Sequence, residues 1–388
     1  MEVYLDNSAT TKPTLEVVAA INRAYSDCYG NPSSLHRKGL EAERSLSQAR
    51  RKMASAIGAT PEEILFTSGG TEANNLAILG FLKRARHLNK YIATTKIEHP
   101  SVLNVFKKLA AEGYEVAYLN VNSSGIVDLS EVKAVLEKDP ALFSVMLVNN
   151  ETGALQPITE IIKVLRSLGK KTVFHVDAVQ AFGKVPFQVN SLNIDLLSLS
   201  GHKFHGPKGV GALFVKKGVK LEPLFYGGNQ EAGLRSGTEN IPAIIGMGIA
   251  AEQTVKSIAE AIATMSSLKT RLQNEIERNI PDIKINSPSE VNCAPHILNV
   301  SFLGVKSEIL LHALEQDGIY VSSGSACSSR KRTFSHVLHA MGRTEAEFDS
   351  AIRFSFNRLN ESAEIDYVAD RLRLQVATLR KTIMGVGK

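Results

Sequence analysis

From about Glu16 to Ala250 the chain alternates short, β-branched apolar runs with longer stretches of helical pattern. Strands that are separated by whole helices pair in parallel, so this rhythm calls for an α/β fold with a mostly parallel sheet and helices on its faces. Seven runs qualify as strands: Glu63–Thr67, Tyr91–Thr95, Glu115–Val121, Ser144–Val148, Thr172–Val176, Asp195–Ser200 and Val210–Val215. They predict a seven-stranded sheet in a large domain of residues 15–255. Beyond Glu252 the order changes to a helix (Ser266–Asn279), a strand (Ile297–Phe302), a helix (Ser307–Gln316), strands at Ile319–Ser322 and Ala351–Phe356, and a last helix. A smaller α/β domain is expected there, made of residues 1–14 and 256–388.

With 388 residues and 44% hydrophobic content, the chain is long and apolar enough to bury a large core. Its longest nearly apolar stretch, Ile241 to Ala251, is broken by Pro242, Gly246 and Gly248 and falls short of the roughly 18 residues that a membrane helix needs. No membrane association is expected. Met1-Glu2-Val3-Tyr4-Leu5-Asp6 has neither a basic leader nor an apolar signal core, so a cytoplasmic location is the default expectation. The three cysteines, Cys28, Cys293 and Cys327, include no closely spaced pair, which argues against a zinc site or redox couple, and no metal is expected. A net charge of +6 is moderate for this length, and the basic residues are scattered except at Arg330-Lys331-Arg332. That balance does not call for direct nucleic-acid binding. It suits an anionic cofactor, an amino-acid substrate and an acidic partner surface.

The chemistry concentrates where strands end. Lys203, in Ser200-Gly201-His202-Lys203, follows the apolar run at Asp195–Ser200; Asp177 and Gln180 follow the run at Thr172–Val176. An amine and a carboxylate from two strand ends match what pyridoxal phosphate requires, a lysine to bind the aldehyde and an acid to hold the ring nitrogen protonated. Taken singly, each reads as a surface lysine or a capping aspartate. Ser68-Gly69-Gly70-Thr71-Glu72 lies between a strand and a helix, and free N–H groups at such a start cradle phosphate, although an ordinary helix capped by Thr71 fits equally well. Gly201 to Lys208 superficially resembles a nucleotide-binding loop, but Pro207 and the lack of a closing Lys-Ser or Lys-Thr pair exclude it. His99 precedes a helix expected near Ser101, where an imidazole can lie on a flat ring, and Asn150 follows an apolar strand. Either is also an ordinary loop residue. Cys327 sits in the small-residue run Ser322 to Ser329, within a loop of about residues 322–334, close to three basic residues that favour its thiolate. Cys28 and Cys293 have no such neighbours in sequence and read as buried or half-buried small residues.

Together these residues resemble the cysteine desulfurases, the NifS/IscS-like branch of the fold-type I pyridoxal-phosphate enzymes. The resemblance spans nearly the whole chain: Tyr4 to Thr11, Gly30 to Ser34, His175 to Gln180, Arg235 to Asn240, Ser323 to Cys327 and Ile352 to Ser355. It implies that Lys203 carries the cofactor as a Schiff base, Asp177 pairs with the ring nitrogen, Gln180 bonds the ring hydroxyl and His99 stacks on the ring. Gly70, Thr71, Ser200 and His202 would hold the phosphate, with Thr238 from the neighbouring subunit of a homodimer. Arg353 would clamp the substrate carboxylate with help from Asn150, and Asn31 would lie near the substrate. The implied reaction turns L-cysteine into L-alanine. Lys203 removes the α-proton, the Cys327 thiolate takes the sulfur as a persulfide, and an acceptor protein collects it for iron–sulfur cluster assembly or tRNA thiolation.

Two features depart from the family pattern. Arg330-Lys331-Arg332-Thr333-Phe334 follows the cysteine where iron–sulfur members commonly carry an acidic or Leu-Glu-Pro-like segment, which leaves the acceptor open. Gly70 replaces a frequent alanine, a change expected to keep backbone donation and cost little. The competing expectations are a selenocysteine lyase, another lyase or aminotransferase, which would have no use for Cys327, and a non-catalytic sulfur-transfer scaffold, which would have no use for the full set.

Overall fold

A computed structural model describes residues 1–85, 89–323 and 335–386. After the two-residue strand β1 (Val3–Tyr4) come β2 (Ile64–Thr67), β3 (Tyr91–Thr95), β4 (Glu115–Leu119), β5 (Leu142–Met146), β6 (Val173–Asp177), β7 (Leu196–Ser200) and β8 (Gly211–Val215). These last seven form one sheet in the order β2-β8-β7-β6-β5-β3-β4. Only β8 runs against its neighbours, pairing antiparallel with β2 and β7. The expected seven-stranded, mostly parallel sheet is therefore present. β5, β6 and β7 are buried along nearly their whole length, as strands covered on both faces must be.

Most strand ends differ from expectation by a residue or two, and the largest shift is instructive. The run expected at Ser144–Val148 pairs as Leu142–Met146, yet Leu147 and Val148 stay buried after leaving the ladder. Uninterrupted apolar sequence marks burial but not where pairing stops.

A second, antiparallel sheet has the order β12-β13-β10-β9, from β9 (Ile283–Ile285), β10 (Ile297–Phe302), β12 (Ser322–Ser323) and β13 (Ala351–Ser355). Between β10 and β12 lies β11 (Ile319–Tyr320), which pairs in parallel with β1. The single strand expected at Ile319–Ser322 is thus two: it leaves β1 at Val321 and joins β13. Helices Ile258–Asn279, Ser307–Gln316 and Ser362–Val386 accompany this sheet, and Leu272, Phe302, Leu314, Phe354 and Leu372 form part of its apolar core. The helix expected at Ser266–Asn279 begins at Ile258.

The apolar stretch at Ile241 is the start of a helix, Ile241–Lys256, capped by the Asn240 side chain, which accepts from Ala243 N–H. It packs against helices Leu15–Asp27 and Arg37–Ile57, and a Cβ at Gly248 would lie 3.0 Å from the Ala49 Cα, so a glycine lets these helices touch. Among the described residues no helix is long and apolar enough to cross a membrane.

One buried ion pair fixes the edge of the large sheet. Arg50 binds Glu231 bidentately, both contacts at 2.7 Å, and Glu231 also accepts from Phe66 N–H at 2.9 Å. Asn229, Glu231 and Ala232 all hold positive φ, a conformation that costs free energy and persists only where contacts over-determine it. Glu231→Gln strands the Arg50 guanidinium and is expected to destabilise the fold by about 3 kcal/mol. A urea unfolding midpoint unchanged from that of the parent protein would rule out this anchoring role.

Candidate active site

The sheet delivers its functional side chains from adjacent strand ends, where α/β sheets bind ligands. β6 ends at Asp177 and β7 at Ser200, in parallel register with Asp177 opposite Ser198. Beyond Ser200 the chain makes one tight helical turn, Gly201–Lys203. His175, two residues before Asp177, bonds Ser144 Oγ through Nδ1 (2.8 Å) and Ser198 Oγ through Nε2 (3.0 Å), cross-bracing β5, β6 and β7. Full burial pushes its pKa down to about 3, so this brace is neutral.

A cavity of about 260 Å³ opens at these strand ends. Of the residues expected in the site, Gly70, Thr71, His99, Asn150, Asp177, Gln180, Ser200, His202 and Lys203 all line it. Asp177 accepts from Asn74 Nδ2 at 2.8 Å and Val179 N–H at 2.9 Å. Lys203 Nζ donates to the backbone carbonyls of Ser8 (2.6 Å) and Ala9 (2.8 Å), and Gln180 Nε2 donates to Ser8 as well (2.8 Å). His99 caps helix Pro100–Ala111, which begins one residue before the expected Ser101. Its Nδ1 accepts from Ser101 N–H at 3.1 Å, which leaves Nε2 to carry the proton of the neutral ring. Burial is the main cause that lowers the His99 pKa; Lys203 and His336 add to it and Asp177 opposes it.

The phosphate-turn expectation needs one correction. The helix cap is Gly69 rather than Thr71, which lies inside the first turn of a continuous helical run from Gly70 to Arg84. Gly70 is also less interchangeable with alanine than expected, because a Cβ there would stand 2.7 Å from Val179 Cγ2. In this chain Val179 occupies the space that an alanine would need.

Three expected residues do not line the cavity. Asn31 is exposed, its side chain turned back to accept from Ser33 N–H; Thr238 is exposed on the segment after Arg235, which is tied to Glu72. Arg353 is buried one layer away, with Nη2 on Asp6 Oδ1 and Nη1 on the Asn150 carbonyl, both at 2.8 Å. Cys327 and the basic triplet lie outside the described residues. The sequence reading missed Asn74, Ser101, Ser8 and Lys184. Asn74 and Ser101 line the cavity, and Lys184 is a buried amine that donates to the Lys203 carbonyl at 2.5 Å. Burial, helped by Lys203, pulls its pKa down to about 7.

Residues 3–368 match the aminotransferase class-V family. The chain belongs to that family. Within it the similarity is to cysteine desulfurases: 45% identity to the one from Nostoc sp. over 97% of this chain and 94% of the relative, and 42% to cysteine desulfurase IscS of Dictyoglomus turgidum over 98% and 95%. A solved NifS-like protein superposes with a TM-score of 0.92 at 38% identity, covering 97% of this chain and all of its own. The protein is a cysteine desulfurase, and these class-V enzymes depend on pyridoxal phosphate.

The cavity suits that cofactor on its own terms. It offers an amine and a carboxylate, and two buried oxygens in its wall, Asn74 Oδ1 and Gln180 Oε1, have no hydrogen-bond partner among the described residues. Buried acceptors of this kind call for a ligand or water.

Behind His99 lies a further acid. Glu98 Oε1 accepts from Thr95 Oγ1 (2.7 Å) and Met146 N–H (3.0 Å), while Oε2 is buried and unpartnered. Burial raises its pKa from 4.5 to about 8 against those hydrogen bonds, with a further push from Asp177. The unfolded chain therefore ionises Glu98 near pH 4.5 while the folded protein keeps the proton, so this group costs stability increasingly as pH rises from 4.5 to about 8. Glu98→Gln removes the cost. Thermal unfolding of both proteins between pH 5 and pH 8 is expected to show the variant gaining on its parent as pH rises; parallel curves would mean that Glu98 is ionised in the fold.

Proposed function

We propose that the desulfuration of L-cysteine runs through Lys203 as cofactor anchor and α-proton base, and through Cys327 as the nucleophile that takes the sulfur. The observation that carries this reading is the convergence of Lys203 and Asp177, from neighbouring strand ends, on one cavity with His99 and Gln180. Pyridoxal phosphate, when bound, supplies an aldehyde for amine exchange and a ring that takes up the electrons freed at the substrate Cα. Asp177, held by Asn74 and Val179, would serve the ring nitrogen. Gln180, with its unpartnered oxygen, would serve the ring hydroxyl, and the neutral His99 would cover the ring face. The N–H groups at the helix start of Gly70 and Thr71, with Ser200 and His202, suit the phosphate.

Lys203 Nζ rests on the Ser8 and Ala9 carbonyls, so its amine is aimed before substrate arrives. Once exchanged for the substrate amine it would take the Cα proton of L-cysteine and later return it as alanine forms. Arg353, linked to the cavity wall through the Asn150 carbonyl, is the proposed seat of the substrate carboxylate, with Asn150 and Asn31 beside it. Cys327 would attack the substrate sulfur as a thiolate and hold it as a persulfide. Thr238 is exposed on its own chain, which fits a homodimer in which it reaches the partner's phosphate site. The sulfur would then pass to an acceptor protein that serves iron–sulfur cluster assembly or tRNA thiolation.

Alanine and sulfide released from L-cysteine in the presence of a reductant test this directly. Cys327→Ser is expected to retain the cofactor but lose both products. Lys203→Ala is expected to lose roughly 10²-fold or more in alanine formation, together with the lysine-bound cofactor absorbance. Substantial turnover by either variant would overturn its assigned role.

A further inference from the structure

Cys293 looks inert from its sequence neighbours, yet the fold gives it a partner that the reading of the sequence did not supply. Lys269, on helix Ile258–Asn279, points its Nζ at Cys293 Sγ, 2.8 Å away, and at the Ala294 carbonyl, 3.2 Å away. Both side chains are buried, with relative exposures of 6% each. The sulfur also meets the carbonyls of Thr152 at 3.7 Å and Ile297 at 3.9 Å and the side chain of Ser287. An amine and a thiol are thus held together by packing, away from the cavity and unused by the desulfuration. The pair is next to surface residues in the chain, since Val291 and Asn292, which precede Cys293, are exposed.

We propose that Lys269 and Cys293 form an oxidative cross-link, Nζ–O–Sγ, that a thiol can cleave, when the protein meets hydrogen peroxide. The separation selects this product. A direct bond to sulfur would have to be no longer than the roughly 2.0 Å of a disulfide, which requires two packed side chains to close by most of an ångström. One inserted oxygen leaves both ends close to where they stand. The balance uses two molecules of peroxide. The first takes the thiol to the sulfenic acid and releases one water. The second, with the Lys269 amine, completes the bridge and releases two more. Sulfur and nitrogen lose two electrons each, the two peroxide O–O bonds accept the four, and the S–H hydrogen and one N–H hydrogen leave in water. A dithiol reductant opens the link by attacking the Cys293 sulfur: the S–O bond breaks, the oxygen leaves with Lys269 as a hydroxylamine, and the second thiol frees Cys293 as the reductant closes to its own disulfide.

The position gives the link a consequence for the site. Segment 292–294 is stitched to the turn that follows β5: Leu155 N–H donates to Asn292 O at 2.9 Å and Ala294 N–H to Gly153 O at 2.8 Å. That turn carries Asn150, so the bridge would tie the helix of the second sheet covalently to a segment that is hydrogen-bonded to the turn bordering the cofactor cavity.

The test treats the full-length, cofactor-loaded protein with hydrogen peroxide, digests it without reductant and maps peptides by mass spectrometry. A linked pair containing Lys269 and Cys293, lighter by two hydrogens and heavier by one oxygen than the sum of its parts, and abolished by dithiothreitol, is the expected result. A linked pair lacking the extra oxygen, Cys293 found only as sulfinic or sulfonic acid, or Cys293 unmodified while other thiols oxidise, overturns the proposal. Lys269→Met and Cys293→Ala, checked for folding by their alanine production, must each abolish the linked species. Because the parent protein alone gives the decisive spectrum, poor folding of either variant does not weaken the test.

Discussion

The pairing of β6 with β7 is the constraint on which the site depends. Parallel strands carry fixed register, so setting Asp177 opposite Ser198 fixes where an anion stands relative to the turn that ends in Lys203. Nothing in that arrangement tolerates a slip of one residue, which would turn Asp177 to the other face of the sheet. His175 locks the register from inside by bonding a serine on each neighbouring strand. It can do so because burial keeps it neutral; a charged imidazole in that position would cost far more than two hydroxyl contacts return.

The second constraint comes from the amino terminus. Residues 3–11 run from one sheet to the other: Val3 N–H bonds Gly318 O, Leu5 O receives Ser355 N–H, and Thr11 N–H bonds His202 O. On the way the strap presents the Ser8 and Ala9 carbonyls to Lys203 and the Asp6 carboxylate to Arg353. The same short stretch therefore positions the amine at the cavity and the guanidinium behind it. Its strand content is two residues paired with β11, too little for periodicity to reveal.

Legibility followed the physics of burial. Strand β3 and the helix Ser307–Gln316 were readable to the residue because charged residues flank them, and β10 because Pro295-His296 and the nearby Gly304 bracket its apolar run. The lining residues at or just beyond strand ends, Asp177, Asn150 and Lys203, were readable because topology puts strand ends at ligand sites. What sequence could not give were contacts between residues far apart in the chain. Asn74 supports Asp177 across 103 positions, and the Lys269–Cys293 contact spans 24; neither has any local signature. The Gly70–Val179 fit belongs to the same class, since the cost of an alanine depends on a side chain from another strand end.

The electrostatics of the cavity follow from these placements. Burial, with Lys203, Lys208 and Lys184 adding to it, lowers His202 to about 4, and burial likewise lowers His205 to about 4, so both imidazoles beside Lys203 are uncharged at neutral pH. His99 is moved in the same direction. His99 and His202, which line the cavity, therefore act as neutral hydrogen-bonding groups of its wall rather than as cations. Lys184 lies outside the cavity wall, beneath the Lys203 carbonyl, and burial with the neighbouring Lys203 brings its pKa down to about 7. Two amines this close in a buried setting disfavour being charged together, and the neutral imidazoles add no further positive charge around them.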